Sequence, residues 1–92
     1  MQKFFVYILE SAKDNKLYTG CTTDISKRLQ AHNIGKVKST QKRRPFKLGY
    51  FEEYSTLTEA RRRESYLKTP RGGILKRQLV DNFPTELLNR VA

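Results

Sequence analysis

The chain of 92 residues has a single cysteine, Cys21, so it can form no disulfide within itself and has no cysteine-rich zinc site. A lone thiol fits a reducing, cytoplasmic setting, and no disulfide-linked partner is expected. Long apolar runs are missing as well. The longest near the start, FFVYIL, is far too short to span a bilayer, and no small-residue cleavage site follows it. Neither a membrane span nor a signal peptide is therefore expected. With no repeat, linker or low-complexity stretch, one domain is expected over residues 1–92, with 84–92 as a C-terminal tail.

Acidic residues are scarce. Nine Asp and Glu stand against nineteen Lys and Arg, a net charge of +10. Residues 36–49, KVKSTQKRRPFKLG, carry six positive charges, and residues 65–78, SYLKTPRGGILKRQ, carry four, with no acid in either. Those two segments account for the whole net charge. A charge run alone is usually a solvated face. Two acid-free segments in one small domain favour a polyanionic partner, nucleic acid above all. Neither joins its charges to a broad apolar helical face, which argues against a membrane surface.

What remains is enough for a small core, with 37% hydrophobic residues including five Tyr and five Phe. KFFVYILE is apolar at nearly every position and predicts a strand covered on both faces. AKDNK supplies a turn, with Asp14 and Asn15 tolerating left-handed backbone, and KLYTGC is the partner strand. With an even-numbered loop, opposed positions have an odd sum, which puts Tyr7 and Tyr18 on one face. An odd loop or a bulge would separate them.

TTDISKRLQAHNIG predicts a helix capped by Thr or Asp at its start and by Gly35 at its end, with Ile25 and Leu29 inward. At about 100° per residue, Arg28 and His32 fall on that same stripe. A long cation there asks for a reason beyond snorkelling at the stripe's edge. After the basic loop KVKSTQKRRP, FKLGYFEEY reads as a third strand. TLTEARRRESYLKT then opens with Thr56 and Glu59 as a capping box and turns Leu57, Ala60 and Leu67 inward. Glu64 falls within that stripe, where a carboxylate is costly unless it meets a cation or a metal. PRGG is expected to break this helix, and ILKRQLVDNF to form another with Leu75, Leu79 and Phe83 inward. The outcome is an α+β fold: a small three-stranded antiparallel sheet flanked by three or so helices.

The order FVYIL, LYTG, Arg28 and Glu64 resembles the GIY-YIG nuclease family, and most of all its small single-domain members. YTGCTTDISKRLQAHNIGK, RRPFKLGYFEE and EARRRE carry the match, which runs from about Phe4 to Leu79. Phe5 and Val6 stand in place of the first motif's Gly and Ile, and Thr19 in place of the second motif's Ile. Both tyrosines are kept, so these changes bear on packing.

The resemblance implies a metal-dependent endonuclease that hydrolyses phosphodiester bonds in DNA. Tyr7 or Tyr18 would be the general base, Tyr7 preferred, and its phenol pKa of about 10 would have to be lowered by neighbouring cations or metal-bound water. Arg28 would hold a phosphate oxygen. Glu64 would hold one divalent ion, Mg²⁺ or Mn²⁺. His32, a turn beyond Arg28, could bind phosphate or assist proton transfer, although a lone helical histidine is more often structural. Lys36, Lys38, Lys42, Arg43, Arg44 and Lys68 are the expected contacts to the nucleic-acid backbone. Cys21 reads as a small buried hydrophobe rather than a nucleophile. The alternative is a nucleic-acid-binding module on the same scaffold with little or no cleavage activity. The full set of Tyr7, Tyr18, Arg28 and Glu64 favours the enzyme, because binding alone requires no inward carboxylate.

Overall fold

The apolar run near the start of the chain becomes the middle of a sheet. In a computed structural model, which describes residues 2–91, β1 (Phe4–Ser11) lies between β2 (Leu17–Thr22) and β3 (Phe46–Tyr54), antiparallel to both. A central strand has no face or edge left to solvent, which explains the unbroken hydrophobicity of Val6, Tyr7, Ile8 and Leu9, all buried. The β1–β2 turn uses Asn15 at φ 60, and the Ser11 hydroxyl accepts from the backbone N–H groups of Lys13 and Asp14. Tyr7 stands opposite Gly20 and Leu9 opposite Tyr18. Opposed positions have an odd sum, and both phenols share one face.

That face carries α1 (Ile25–Asn33) and the C-terminal α4 (Thr85–Val91), whose Leu88 and Val91 pack against Tyr7, Leu9, Ile25, Phe46 and Leu48. The residues expected as a tail thus contribute apolar contacts. The opposite face carries α2 (Leu57–Leu67) and α3 (Pro70–Asp81), packed on Val6 and Ile8 through Ala60, Leu67, Leu75 and Leu79. Among the described residues the α-helices number four. Asp24 caps α1 by accepting from Lys27 N–H at 3.0 Å, and Gly35 follows its end at φ +87. Thr56 caps α2 by accepting from Glu59 N–H at 3.2 Å.

Three sequence expectations change on this face. Leu57 is exposed rather than inward, because it occupies the first position of α2, beyond the edge of the contact that Ala60 and Leu67 make. Phe83 lies past the end of α3, where its ring meets Tyr50 and Phe51 edge-on at 4.9 and 5.2 Å. α2 ends before PRGG, as expected, but the next helix starts at Pro70 rather than at Ile74. PRGG forms the first turn of α3: Thr69 accepts from Gly72 N–H at 3.2 Å, and Pro70 occupies the position where a missing N–H is harmless.

Across the junction, Arg63 of α2 grips Glu52 of β3 with Nε and Nη2, each 3.0 Å from a carboxylate oxygen. Tyr50 and Tyr54 donate their hydroxyls to the same carboxylate. Burial alone would raise the Glu52 carboxyl, but the guanidinium and the two hydroxyls outweigh it and hold it below the usual range.

The two glycines of α3 offer a controlled comparison. A Cβ on Gly72 would collide with the backbone of Tyr66 and Leu67, whereas one on Gly73 meets nothing within 4 Å. In chemical denaturation, Gly72→Ala should lose at least about 1–3 kcal/mol to overpacking. Gly73→Ala should be neutral or gain up to about 1 kcal/mol from helix propensity. Equal effects would show that α3 does not touch α2 at this point.

Candidate active site

Gly20 makes the site possible. It pairs with Tyr7 across the hairpin, and a Cβ there would run into the Tyr7 phenol ring. The ring therefore lies over the neighbouring strand and delivers its hydroxyl to α1. There the Tyr7 hydroxyl meets His32 Nε2 at 3.0 Å and accepts from Arg28 Nε at 3.4 Å. Arg28 and His32 are four residues apart on one helical face, so one phenol can touch both. Tyr18, two residues back along β2, sets its ring 4.9 Å from the His32 ring and 6.5 Å from that of Tyr7. Four of the residues singled out in the sequence thus converge from three elements.

Exposure divides the two phenols. Tyr7 is 1% exposed and His32 fully buried, whereas Tyr18 and Arg28 are half-buried at the mouth. Burial pushes the Tyr7 phenol up to about 12, although the Arg28 hydrogen bond pulls the other way. The lowered phenol expected of a base is therefore not found at Tyr7. Its cationic neighbour does not compensate for the loss of water. The Arg28 guanidinium is raised above its ordinary value, first by the Tyr7 hydroxyl and further by that of Tyr18. His32 is pushed down to about 4, chiefly by burial and also by the nearby Arg28 charge, so the imidazole is neutral at pH 7.

Glu64 comes from α2. Its side chain is 17% exposed and its Oε2 accepts from Lys68 Nζ at 2.9 Å, one turn along the helix. Burial raises the Cys21 thiol and the Tyr7 phenol, and the Glu64 charge adds to both in the same direction. Glu64 thus stands beside the cluster without a hydrogen bond to it. Among the described residues, no three His, Cys, Asp or Glu stand together as a metal cage.

The basic residues fall into two groups. Lys36, Lys38 and Lys42 are exposed on the loop after α1 and make no ion pair among the described residues. Arg43 instead holds Asp14 at 3.2 Å and lies 5.6 Å over the Phe46 ring, while Arg44 donates to the backbone carbonyl of Gln41 at 2.8 Å. Lys68 is engaged by Glu64. Loop architecture thus uses two cations that composition alone would give to a ligand.

Sequence reasoning missed Thr40 and Asn33. Thr40 is fully buried, with its Oγ1 2.8 Å from His32 Nδ1. Asn33 bonds both backbone groups of Phe46, at 3.0 and 2.7 Å, and fixes the end of α1 to the start of β3. Neither carried a signal, since Thr40 lies in a polar loop and Asn33 reads as a helix terminus.

A neutral buried histidine has a thermodynamic signature. His32 binds protons less readily folded, at about 4, than unfolded, at 6.5. Its contribution is present above pH 6.5 and is lost as pH falls towards 4, by up to about 3 kcal/mol. Denaturation curves between pH 7 and 4.5 should show this slope in the native chain and a shallower one in His32→Gln. Parallel pH profiles would mean that His32 is not buried neutral between Tyr7, Tyr18 and Arg28.

Residues 3–73 match the family model described as the GIY-YIG catalytic domain. A UPF0213 protein of Staphylococcus haemolyticus is 50% identical over 70 residues, 75% of this chain and 84% of that protein. Another, of Clostridium perfringens, is 49% identical over 65 residues, 70% of this chain and 69% of that protein. The solution NMR structure of a UPF0213 protein from Bacillus halodurans aligns with a TM-score of 0.51 at 40% identity, covering 86% of this chain and 83% of that one. With its three-stranded antiparallel sheet and the two tyrosine motifs on adjoining strands, the chain belongs to the GIY-YIG family.

Proposed function

We propose that this domain is a metal-dependent endonuclease that hydrolyses phosphodiester bonds in DNA. The observation that carries the reading is the convergence of Tyr7, Arg28 and His32 in one hydrogen-bonded cluster, with the Tyr18 ring packed edge-on against His32. A packing role would not account for a guanidinium drawn onto two phenols beside a neutral imidazole. The lone thiol is consistent with a reducing, cytoplasmic setting.

In phosphodiester hydrolysis a water gives up one proton as its oxygen bonds to phosphorus, the ester P–O bond breaks, and the leaving oxygen takes up a proton in exchange. Arg28 spends Nε on Tyr7, which fixes the fork and leaves its terminal N–H groups to hold a phosphate oxygen. Tyr18 is the phenol within reach of solvent, so it receives and orients the attacking water, while Tyr7 holds Arg28 from behind. His32 keeps the Tyr7 hydroxyl in place. The exposed Lys36, Lys38 and Lys42 track the flanking phosphates.

Glu64 fits a hard ion that keeps most of its shell as water and phosphate oxygen, such as Mg²⁺ or Mn²⁺, but not an all-protein cage. Held there, a divalent ion would supply a polarised water and a counter-charge for the phosphate. A second reading is a nucleic-acid-binding module with little cleavage. It is favoured by one observation, the occupation of the Glu64 carboxylate by Lys68.

Single-turnover assays on linear and branched DNAs, with Mg²⁺, Mn²⁺ or chelator, decide between the two. Tyr18→Phe should slow cleavage by roughly a hundredfold or more while costing at most about 1 kcal/mol of stability. Tyr7→Phe should cost more stability, about 1–3 kcal/mol, because it strips the buried imidazole and Arg28 Nε of their shared partner. A native rate in Tyr18→Phe removes that residue from the chemistry. Glu64→Gln should abolish cleavage and spare DNA affinity, with a stability change of at most about 1 kcal/mol from loss of the half-buried helical ion pair with Lys68. An active Glu64→Gln in a metal-dependent assay would overturn the metal assignment.

A further inference from the structure

The basic loop and the buried phenol meet at one side chain. We infer that Thr40 is a positioning residue: it fixes the His32 proton on Nδ1, leaving Nε2 to hold the Tyr7 hydroxyl, and so ties the Tyr7–Arg28 pair to the loop spanning residues 36–45. For its consequence on catalysis, though not for the proton arrangement itself, this rests on the nuclease reading.

The argument is a count of protons. The Thr40 hydroxyl has one proton, and its oxygen lies 3.3 Å from the Val37 carbonyl, which can only accept. Given to Val37, that proton leaves Oγ1 as the acceptor for His32 Nδ1, 2.8 Å away. A neutral imidazole has one N–H, so with the proton on Nδ1 the other nitrogen is bare. That nitrogen, Nε2, then accepts from the Tyr7 hydroxyl at 3.0 Å, and the Tyr7 oxygen accepts from Arg28 Nε at 3.4 Å. Each proton from Arg28 Nε to Val37 has an acceptor. In the reverse arrangement, with Thr40 donating to Nδ1, His32 Nε2 donates to Tyr7. The phenol oxygen then receives two N–H groups, and its own proton meets no acceptor among the described residues. In a side chain 1% exposed that is an unpaired, desolvated donor.

The position of Thr40 gives the link its reach. It is fully buried, yet it lies between exposed Lys38 and Lys42. Its backbone N–H bonds Val37 at 3.1 Å, and its carbonyl accepts from Arg43 N–H at 2.9 Å, opening the 3-10 turn Gln41–Arg43. A phosphate that pulls this loop would move Oγ1, and with it the imidazole and the phenol. The plainer account is that Thr40 only closes its own turn onto Val37. In that case the imidazole would not depend on it.

The chain has one histidine, so its imidazole is observed alone in long-range ¹H–¹⁵N correlation spectra of the unliganded, untagged protein at pH 7.5. The native protein and Thr40→Ser should show the Nδ1–H tautomer, and Thr40→Val should shift towards Nε2–H or a mixture. On a DNA that the native protein cuts, Thr40→Val should lower kcat by about tenfold or more with little change in KM, and Thr40→Ser should restore it. A native protein in the Nε2–H form overturns the inference without reference to any variant. So does a folded Thr40→Val with an unchanged tautomer. Should the native protein cut no DNA offered, the nuclease reading fails while the spectra still decide the role of Thr40.

Discussion

A phenol ring can lie flat within a packed sheet face only if the strand beside it gives up a side chain. That constraint, Tyr7 over Gly20, organises the rest of the site. The ring takes the space of the absent Cβ, its hydroxyl arrives at α1 rather than at solvent, and two helical residues one turn apart converge on it. Burial then sets the electrostatics. The same desolvation that raises the phenol lowers the imidazole, and together they keep both groups neutral beside a fixed cation. In the proposed reading, an anion meeting Arg28 would not have to displace a carboxylate first, since the guanidinium is held by a phenol oxygen.

The two faces of the sheet carry different burdens. On one, polar groups gather around Tyr7. On the other, the Glu52 carboxylate is clamped by Arg63 and two tyrosine hydroxyls, which fixes how α2 sits on β3. Glu64 is the next residue after Arg63. The clamp, in which the Glu52 carboxylate has three side-chain partners, thus constrains the rotation of the helix that presents Glu64.

Much of this was legible in the sequence, and the limits of that legibility are physical. Unbroken hydrophobicity marked β1 as covered on both faces, and the odd-sum rule put both tyrosines on one face only for an even-numbered loop, a condition that the pairing of Tyr7 with Gly20 and Leu9 with Tyr18 meets. Arg28 and His32 declared themselves by standing on an apolar stripe. Periodicity could not foresee that Leu57, at the first turn of α2, overshoots the contact, or that PRGG starts a helix. Proline at a first helical position and glycine against a neighbouring backbone obey local rules whose outcome depends on where the partner helix lies. Thr40 was invisible for a further reason. Its partner His32 is eight residues away across an irregular loop, and no period relates the two.

The order β2-β1-β3 also bears on how the chain assembles. Phe5 finds Thr22 across 17 residues, but Glu53 only across 48. Closing the longer loop costs only about 1 kcal/mol more in chain entropy, so final stability scarcely registers the difference. Timing does. The hairpin closes through local contacts, while β1 must wait for a distant third strand before its other edge is paired, and non-local pairings of this kind slow folding. During that interval the most apolar strand of the molecule presents an open hydrogen-bonding edge, the feature that recruits strands from other chains. For a nascent GIY-YIG domain of this topology, self-association is the hazard of synthesis, and crowding of half-made chains is what its production would have to avoid.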